Sequence, residues 1–373
     1  MRILLVNQYL PPDSSPTALL FGRLAEQLEA DGTTVTLLSA NQSYGQRGGS
    51  KLKRAWRELR ALSELLWRGL RAERVDVVLS GSSPPGVLLV ATALSVAKGA
   101  RSVHWAMDLY PELAIVLGPK LPGWLTAPLF ALTSAGYRRV NTVVTLDEDM
   151  QTHLQKTYRI PSRVIPPWNL TEIPRVTTAD LAYPEPKPFV WLYSGNLGRA
   201  HDWQTLLEAQ RLLEADGLPF RLVFQGDGAA RTAALEYVQR YNLCEVAFLP
   251  YAPKDQLVFS LLRAHAIVAT QRSAVQGLLW PSKLTLLMAL PRPLLFVGPT
   301  QGAIASSLRQ RGMSGVFEPG NATGVAAYLR KLNAQWPPST EPSLGAIWRF
   351  EDAYPLWREV LAEAQGKMPT ARP

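Results

Sequence analysis

Residues 275–293 read VQGLLWPSKLTLLMALPRP, and the way this stretch is built decides what the rest of the chain can be. It opens as a loop at Gln276-Gly277, passes Trp280-Pro281-Ser282-Lys283, and enters an apolar run from Leu284 to Leu290. Proline suits the first turn of a helix, because its fixed φ is helical and the donor it lacks would have no partner there. A helix opening at Pro281 is therefore predicted, apolar all round and so buried against a sheet. Ser282 and Lys283 would stand at its positive end, where free N–H groups point outward and an anion is welcome. A lysine in that place works against the dipole and wants a counter-charge, either a phosphate or a neighbouring carboxylate.

On both sides of this stretch, short apolar runs of buried-strand type alternate with helical patterns. Phe189–Ser194, Arg221–Gln225, Val246–Leu249, Ala266–Thr270, Leu294–Val297 and Gly315–Phe317 read as strands of one parallel sheet. Helices are expected at His201–Ala215 and Ala229–Tyr241. Glycine turns, Gly195-Asn196-Leu197-Gly198 and Gly226-Asp227-Gly228, follow the first two of these strands. Glycine lets backbone amides come close to a diphosphate, and convergence of both turns with Ser282-Lys283 on one sheet edge is more telling than any of them alone.

The first half repeats the alternation. Arg2–Asn7, Thr34–Ser39, Val75–Ser80, Ser102–Met107 and Thr142–Leu146 read as strands, with a short last one near Val164. The loop after the first strand lacks G-x-G-x-x-G, so no dinucleotide site is expected there. His104, Asp108 and Glu112 sit at or beyond the C-terminal end of one strand, the edge at which open α/β sheets bind ligands. A histidine inside an apolar strand is also commonly a satisfied core residue, and an aspartate before proline commonly caps a turn. Pro174 to Pro188 is Pro-rich and irregular, and the domain boundary is placed at this linker. The expected domains are residues 1–168, residues 169–345, and a C-terminal helix (346–366, within an aromatic-rich run from Leu344 to Gln365 that Pro355 should kink) crossing back to the first.

The 373 residues carry a net charge of +9 and a single cysteine, Cys244. That excludes an intramolecular disulfide and a cysteine-built metal cage, and fits a reducing compartment. No D-x-D motif stands at a strand end and no His, Asp and Glu cluster at ligand spacing, so no metal or cofactor is expected. No signal peptide is visible, and the apolar runs Gly86–Ala97 and Leu121–Gly136 are too short or too broken to span a bilayer. Residues 50–74 hold eight basic and three acidic residues, over half of the chain's excess charge. With Trp56 and Trp67 among leucines at helical spacing, this predicts a basic amphipathic helix on an anionic membrane surface, through Lys53, Arg54, Trp56, Arg57 and Arg60. An ordinary surface helix with a solvated charged face is the plainer reading. Nucleic acid is not expected, because the basic residues are not interleaved with aromatics on a sheet.

As a set, HWAMDLYPE (104–112), YSGNLGRAH (193–201), FQGDG (224–228), FLPY (248–251) and QGLLWPSK (276–283) resemble the retaining family 4 glycosyltransferases of GT-B fold. The nearest subgroup builds bacterial surface polysaccharides, often on polyprenyl-diphosphate-linked acceptors. The resemblance covers essentially the whole chain and implies an α/β fold of two Rossmann-like domains facing each other across a cleft. It implies that Gly195, Asn196, Leu197, Gly198, Arg199, Ser282 and Lys283 hold the diphosphate of a nucleotide-sugar donor. Gly226, Asp227 and Tyr251 would border the base, Gln276-Gly277 would face the donor sugar, and Asp108 and His104 would line the acceptor side. A cytoplasmic enzyme at the inner face of the membrane follows, moving a sugar to a lipid-linked or glycan hydroxyl with retention.

Four positions depart from the family pattern. Gln276 stands where an acidic residue is usual, Leu286 at or near the glutamate that grips ribose, and Asn196 at the arginine after the glycine turn, with His201 or Asp202 near the lysine that follows. Glutamine keeps a hydrogen bond but no charge; leucine keeps neither. The departures leave two alternatives to transfer: a catalytically silent GT-B binding subunit, or a GT-B-fold sugar-nucleotide epimerase.

Overall fold

The computed structural model describes all residues except 14, 41–50, 119–121, 172, 186–187, 339–344, 346–347 and 367–373, and leaves out the side chains of 51, 52 and 54. The chain forms two compact units. One comprises Met1–Leu170, Gly277–Trp280 and Trp348–Pro373, the other Thr171–Gln276 and Pro281–Ile347.

The first unit is built on strands β1 (Arg2–Val6), β2 (Thr34–Leu38), β3 (Val77–Ser80), β4 (Arg101–Ala106), β5 (Thr142–Thr145) and β6 (Arg163–Val164). They lie in the order β2-β1-β3-β4-β5-β6, all parallel. Parallel strands covered on both faces need apolar residues at every position rather than alternately. The wholly buried run Val77–Ser80 shows this. Helices Lys51–Arg71, Val87–Lys98 and Gly123–Tyr137 lie side by side in that order.

The helix Phe350–Ala364 packs on β4 of the same unit. Trp357 meets Trp105 edge-on at 4.6 Å between ring centroids, and Trp105 also contacts Phe21 at 5.1 Å and Trp168 at 5.5 Å. Leu344, the expected start of this helix, lies outside the described residues. The helix runs through Pro355, near its start.

The second unit holds β7 (Phe189–Ser194), β8 (Phe220–Gln225), β9 (Val246–Leu249), β10 (Ala266–Thr270), β11 (Leu294–Val297) and β12 (Val316–Phe317). Their order, β12-β11-β10-β7-β8-β9, is that of a doubly wound dinucleotide-type sheet, with the direction of winding reversing between β7 and β10. Its core gathers Phe189, Trp191, Phe220, Leu222, Leu206 and Leu329.

Two expectations about helices change. The helix expected from Pro281 is a single turn, Leu284–Leu287, with Lys283 at its cap. Pro291 and Pro293 cannot continue a helix, and β11 begins at Leu294, so the chain has no length for more. So short a helix has no appreciable dipole, and the positive charge at Lys283 is that of its own ammonium group. The helix expected from His201 begins at Gln204, because Asp202 turns back to accept from the Thr205 amide at 3.1 Å.

Candidate functional site

In a doubly wound sheet the ligand crevice lies beyond the carboxyl ends of the strands at which winding reverses. In the second unit that point falls between β7 and β10, so the loops after Ser194 and Thr270 are the ones to read. Gly195 has φ +130° and Gly226 φ +136°, conformations that side chains rarely adopt. The two turns interlock. A Cβ at Gly226 would stand 2.3 Å from the Gly195 carbonyl oxygen, and one at Gly228 would stand 2.5 Å from that of Leu197. The Gly195 amide donates to Gln225 at 2.8 Å and the Leu197 amide to Asp227 at 2.8 Å. Those two amides therefore build the turn itself, and the amides of Asn196 and Gly198 take no part in these bonds. Gly226→Ala is expected to lower stability by about 1–3 kcal/mol through positive φ and the clash together. A denaturation midpoint equal to that of the parent would contradict this.

Lys283 comes in from 88 residues away in sequence to lie against the first of these turns. Its Nζ sits 3.2 Å from the centroid of the Tyr193 ring and donates to the Ser194 carbonyl at 3.4 Å. It would lie 3.8 Å from a Cβ at Gly195. Among the described residues no carboxylate pairs with it. The ring face and one carbonyl stabilise the charge weakly, and burial holds the Lys283 pKa well below its ordinary value. Of the two counter-charges that the sequence left open, a neighbouring carboxylate is not the one present.

His201 lies beside this lysine, edge-on to Tyr193 at 5.8 Å. Its Nδ1 is 2.8 Å from the Thr270 carbonyl, which only accepts, so Nδ1 carries the proton and Nε2 offers a lone pair. Burial first, and the Lys283 charge second, pull its pKa down to about 3, so it is neutral at physiological pH. The Arg199 carbonyl accepts from Arg272 Nη1 at 3.2 Å, which ties the end of the glycine turn to the loop after β10.

Tyr251 donates from its hydroxyl to the Asp227 carbonyl at 3.1 Å. It borders a groove of about 440 Å³ whose walls include Gln225, Leu249, Pro250, Ser260 and Arg263. Gln276 follows the short 3₁₀ turn Ser273–Val275 and is half-buried, Ser282 is exposed, and Leu286 is buried. Gly277 packs with the first unit, where a Cβ would meet the Asp149 carbonyl at 2.8 Å.

In the first unit, His104 is 3 % exposed and shares a hydrogen bond of 2.9 Å with the Ser80 hydroxyl. Burial lowers its pKa to about 3, so it is neutral. Asp108 takes its place through its backbone: its amide donates to Ser82 Oγ at 3.0 Å, and it forms an antiparallel bridge with Leu279. His104, Asp108, Ser82, Tyr110 and Tyr137 line one small recess of about 30 Å³. Glu112 is held apart from it, accepting from Tyr158 Oη at 2.7 Å and lying 3.1 Å from His153 Nε2.

The basic helix Lys51–Arg71 shows its apolar residues on two sides. Ala61 and Leu65 are in the core, while Trp56, Leu59, Trp67 and Leu70 are exposed. Its apolar positions, expected on one face, therefore split between the sheet side and an outward stripe at helical spacing. Lys53 and Arg60 are exposed beside that stripe and Arg57 is half-buried; the Arg54 side chain lies outside the described residues.

Tyr193, Ser80 and Ser82 escape a reading of the sequence. For the two serines a signal existed, since Ser80 ends β3 and Ser82 follows in the loop, beside the point where winding reverses in the first sheet. For Tyr193 there was none, because an aromatic residue inside a buried strand reads as core.

Among the described residues, no three His, Cys, Asp or Glu side chains group as metal ligands, and no helix is long and apolar enough to cross a membrane. Residues 20–168 match the model of Glycosyltransferase Family 4. The probable glycosyltransferase WbjE of Pseudomonas aeruginosa is 23 % identical over 358 residues, covering 89 % of each chain. The putative colanic acid biosynthesis glycosyl transferase WcaI of Escherichia coli K12 is 26 % identical over 338 residues, covering 78 % of this chain and 81 % of its own. Among solved structures, Anabaena Alr3699/HepE in complex with UDP and glucose superposes with a TM-score of 0.63 at 14 % identity, over 97 % of this chain and 100 % of its own. By its two parallel six-stranded sheets and its likeness to solved glycosyltransferases this chain has the GT-B fold, and over residues 20–168 its sequence is similar to Glycosyltransferase Family 4.

Proposed function

We propose that the protein transfers a sugar from a nucleotide-diphosphate sugar to a hydroxyl of a lipid-linked glycan, with retention of configuration, at the inner face of the cell membrane. The observation that carries this reading is Lys283: a half-buried ammonium with no carboxylate partner among the described residues, set against a glycine turn at the reversal point of the sheet. In sugar transfer the anomeric C–O bond breaks while negative charge builds on the leaving phosphate. A pre-placed cation in a poorly solvated site stabilises that charge without reorganising. The lysine, Arg199 and the Asn196 and Gly198 amides would supply this stabilisation in place of a metal ion. The exposed groove beside Tyr251 is the place assigned to the base, and uridine is the first base to try, since HepE was solved with UDP.

Acceptor binding is assigned to the first unit, around Asp108 and His104. Neutral His104 would act there as a hydrogen-bonding group, while Asp108 would take the acceptor proton. Asp108→Asn is expected to lower turnover about 10²-fold while leaving nucleotide binding intact; unchanged turnover would remove it from the chemistry. The outward stripe on the helix Lys51–Arg71, with Lys53 and Arg60 beside it, supports contact with an anionic membrane.

A silent binding subunit is favoured by Leu286, which is buried and has no group to offer a ribose. One experiment separates the readings. Midpoints of thermal unfolding are measured with UDP-, GDP-, ADP- and TDP-sugars, followed by product analysis with and without a polyprenyl-diphosphate-glycan acceptor. A stabilising donor with product confirms transfer, and stabilisation without any product supports the silent subunit. Product without acceptor supports the epimerase, and no stabilisation by any donor overturns the proposal.

A further inference from the structure

The helix Gly123–Tyr137, GWLTAPLFALTSAGY, contains no charged residue and is inside out. The side turned toward the protein carries Thr126, Phe130, Thr133, Ser134 and Tyr137, which are half-buried or buried. There Phe130 meets the Tyr158 ring at 6.4 Å and Tyr137 meets it at 5.1 Å. The side turned away carries Trp124, 74 % exposed, with Leu125, Leu129 and Leu132 also exposed. A helix beside water places threonine and serine outward and leucine inward, so this one is patterned for an apolar surrounding. Contiguous apolar surface of this kind marks an interaction face.

Two neighbours say what that surrounding is. Arg138 and Arg139, both exposed, follow the helix directly, and the helix Lys51–Arg71 lies two places along the same row, with Lys53, Arg60 and Arg71 exposed. An uncharged apolar face bordered by cations matches the layering of an anionic bilayer, where acyl chains lie beneath negative headgroups. Fifteen residues extend only about 22 Å, short of a hydrocarbon core of about 30 Å, so such a helix sinks into one leaflet and does not cross.

We propose that the helix Gly123–Tyr137 is embedded in one leaflet of an anionic membrane, with Trp124, Leu125, Leu129 and Leu132 among the acyl chains. This rests on the membrane part of the reading above and adds a second kind of contact. The helix Lys51–Arg71 attracts the protein electrostatically, and Gly123–Tyr137 holds it by apolar burial.

The test uses the full chain with vesicles of phosphatidylethanolamine and phosphatidylglycerol. In a Cys244→Ser background, Leu129→Cys carries a polarity-sensitive fluorophore. On vesicle binding, its emission is expected to shift to the blue and to be quenched by lipids brominated in the acyl chains. Once docked, the protein is expected to stay on the vesicles in molar salt. The triple variant Leu125→Glu/Leu129→Glu/Leu132→Glu, checked by circular dichroism for intact folding, is expected to partition to vesicles at least tenfold less. Lys53→Glu/Arg60→Glu is expected to weaken binding mainly at low salt. If the wild type binds but the probe stays in water and molar salt releases everything, this inference falls while the electrostatic reading stands. If the wild type does not bind these vesicles at all, both fall. If the apolar face instead joins two copies, so that the triple Glu substitution dissociates a dimer seen by sedimentation, the bilayer is not its occupant and the inference is overturned.

Discussion

Lys283→Met is expected to reduce transfer by about 10²–10³-fold, the scale seen when one pre-placed group facing a developing oxyanion is removed. Methionine keeps the bulk over Tyr193 and removes only the charge, so packing is retained and the loss reports electrostatics. The stabilisation that nucleotide diphosphate gives in thermal unfolding is expected to disappear with it. The pH dependence supplies a second check, and its sign follows from burial. Burial depresses the lysine pKa in the unliganded protein, and a bound diphosphate raises it again by supplying the missing counter-charge. Above the unliganded pKa, binding must take up a proton, so affinity falls as pH rises. The fall begins below the ordinary lysine value of about 10.4, and its slope is expected to vanish in the methionine variant. Retention of nucleotide binding by Lys283→Met would break the proposal at its centre.

Trp357→Ala is expected to cost the first unit about 3–5 kcal/mol. The residue is fully buried at the meeting of the C-terminal helix with β4, and its ring lies edge-on to Trp105, itself touching Phe21 and Trp168. Removing it opens a cavity where two segments some 250 residues apart are held together. Trp357→Phe should be far milder, about 1–2 kcal/mol, because Nε1 has no hydrogen-bond partner among the described residues and only ring area is given up. Denaturant midpoints for the two variants check the order. Equal, small losses would show that the helix is dispensable to the unit.

The strands were legible because burial on both faces of a parallel sheet writes itself locally, as in VVLS at 77–80 or AIVAT at 266–270. The glycine turns were legible for a similar reason, since positive φ selects glycine at Gly195 and Gly226 whatever surrounds them. The apolar run after Lys283 misled, because the same residues suit a long buried helix or a single turn ahead of a strand. Only Pro291 and Pro293 hinted at the shorter answer. The helix at 51–71 misled in another way: its apolar positions were correctly seen, but hydrophobicity does not say which of two apolar sides meets the sheet.

By itself, the sequence determined the alternation of strands and helices, the two sheets and the identity of the lysine beside the glycine turns. These are consequences of short-range preferences, in which each residue's backbone and burial are settled by its near neighbours. Only the tertiary structure decided that Lys283 rests on Tyr193, that the two glycine turns lock into one another, that Gly277–Trp280 joins the first unit, and that leucines of Gly123–Tyr137 point outward. Each depends on which strands lie side by side and which helix face they leave uncovered. The order β12-β11-β10-β7-β8-β9 is one of several that the same strands would permit, and it is this order that puts a lysine and a tyrosine 90 residues apart within 3.2 Å.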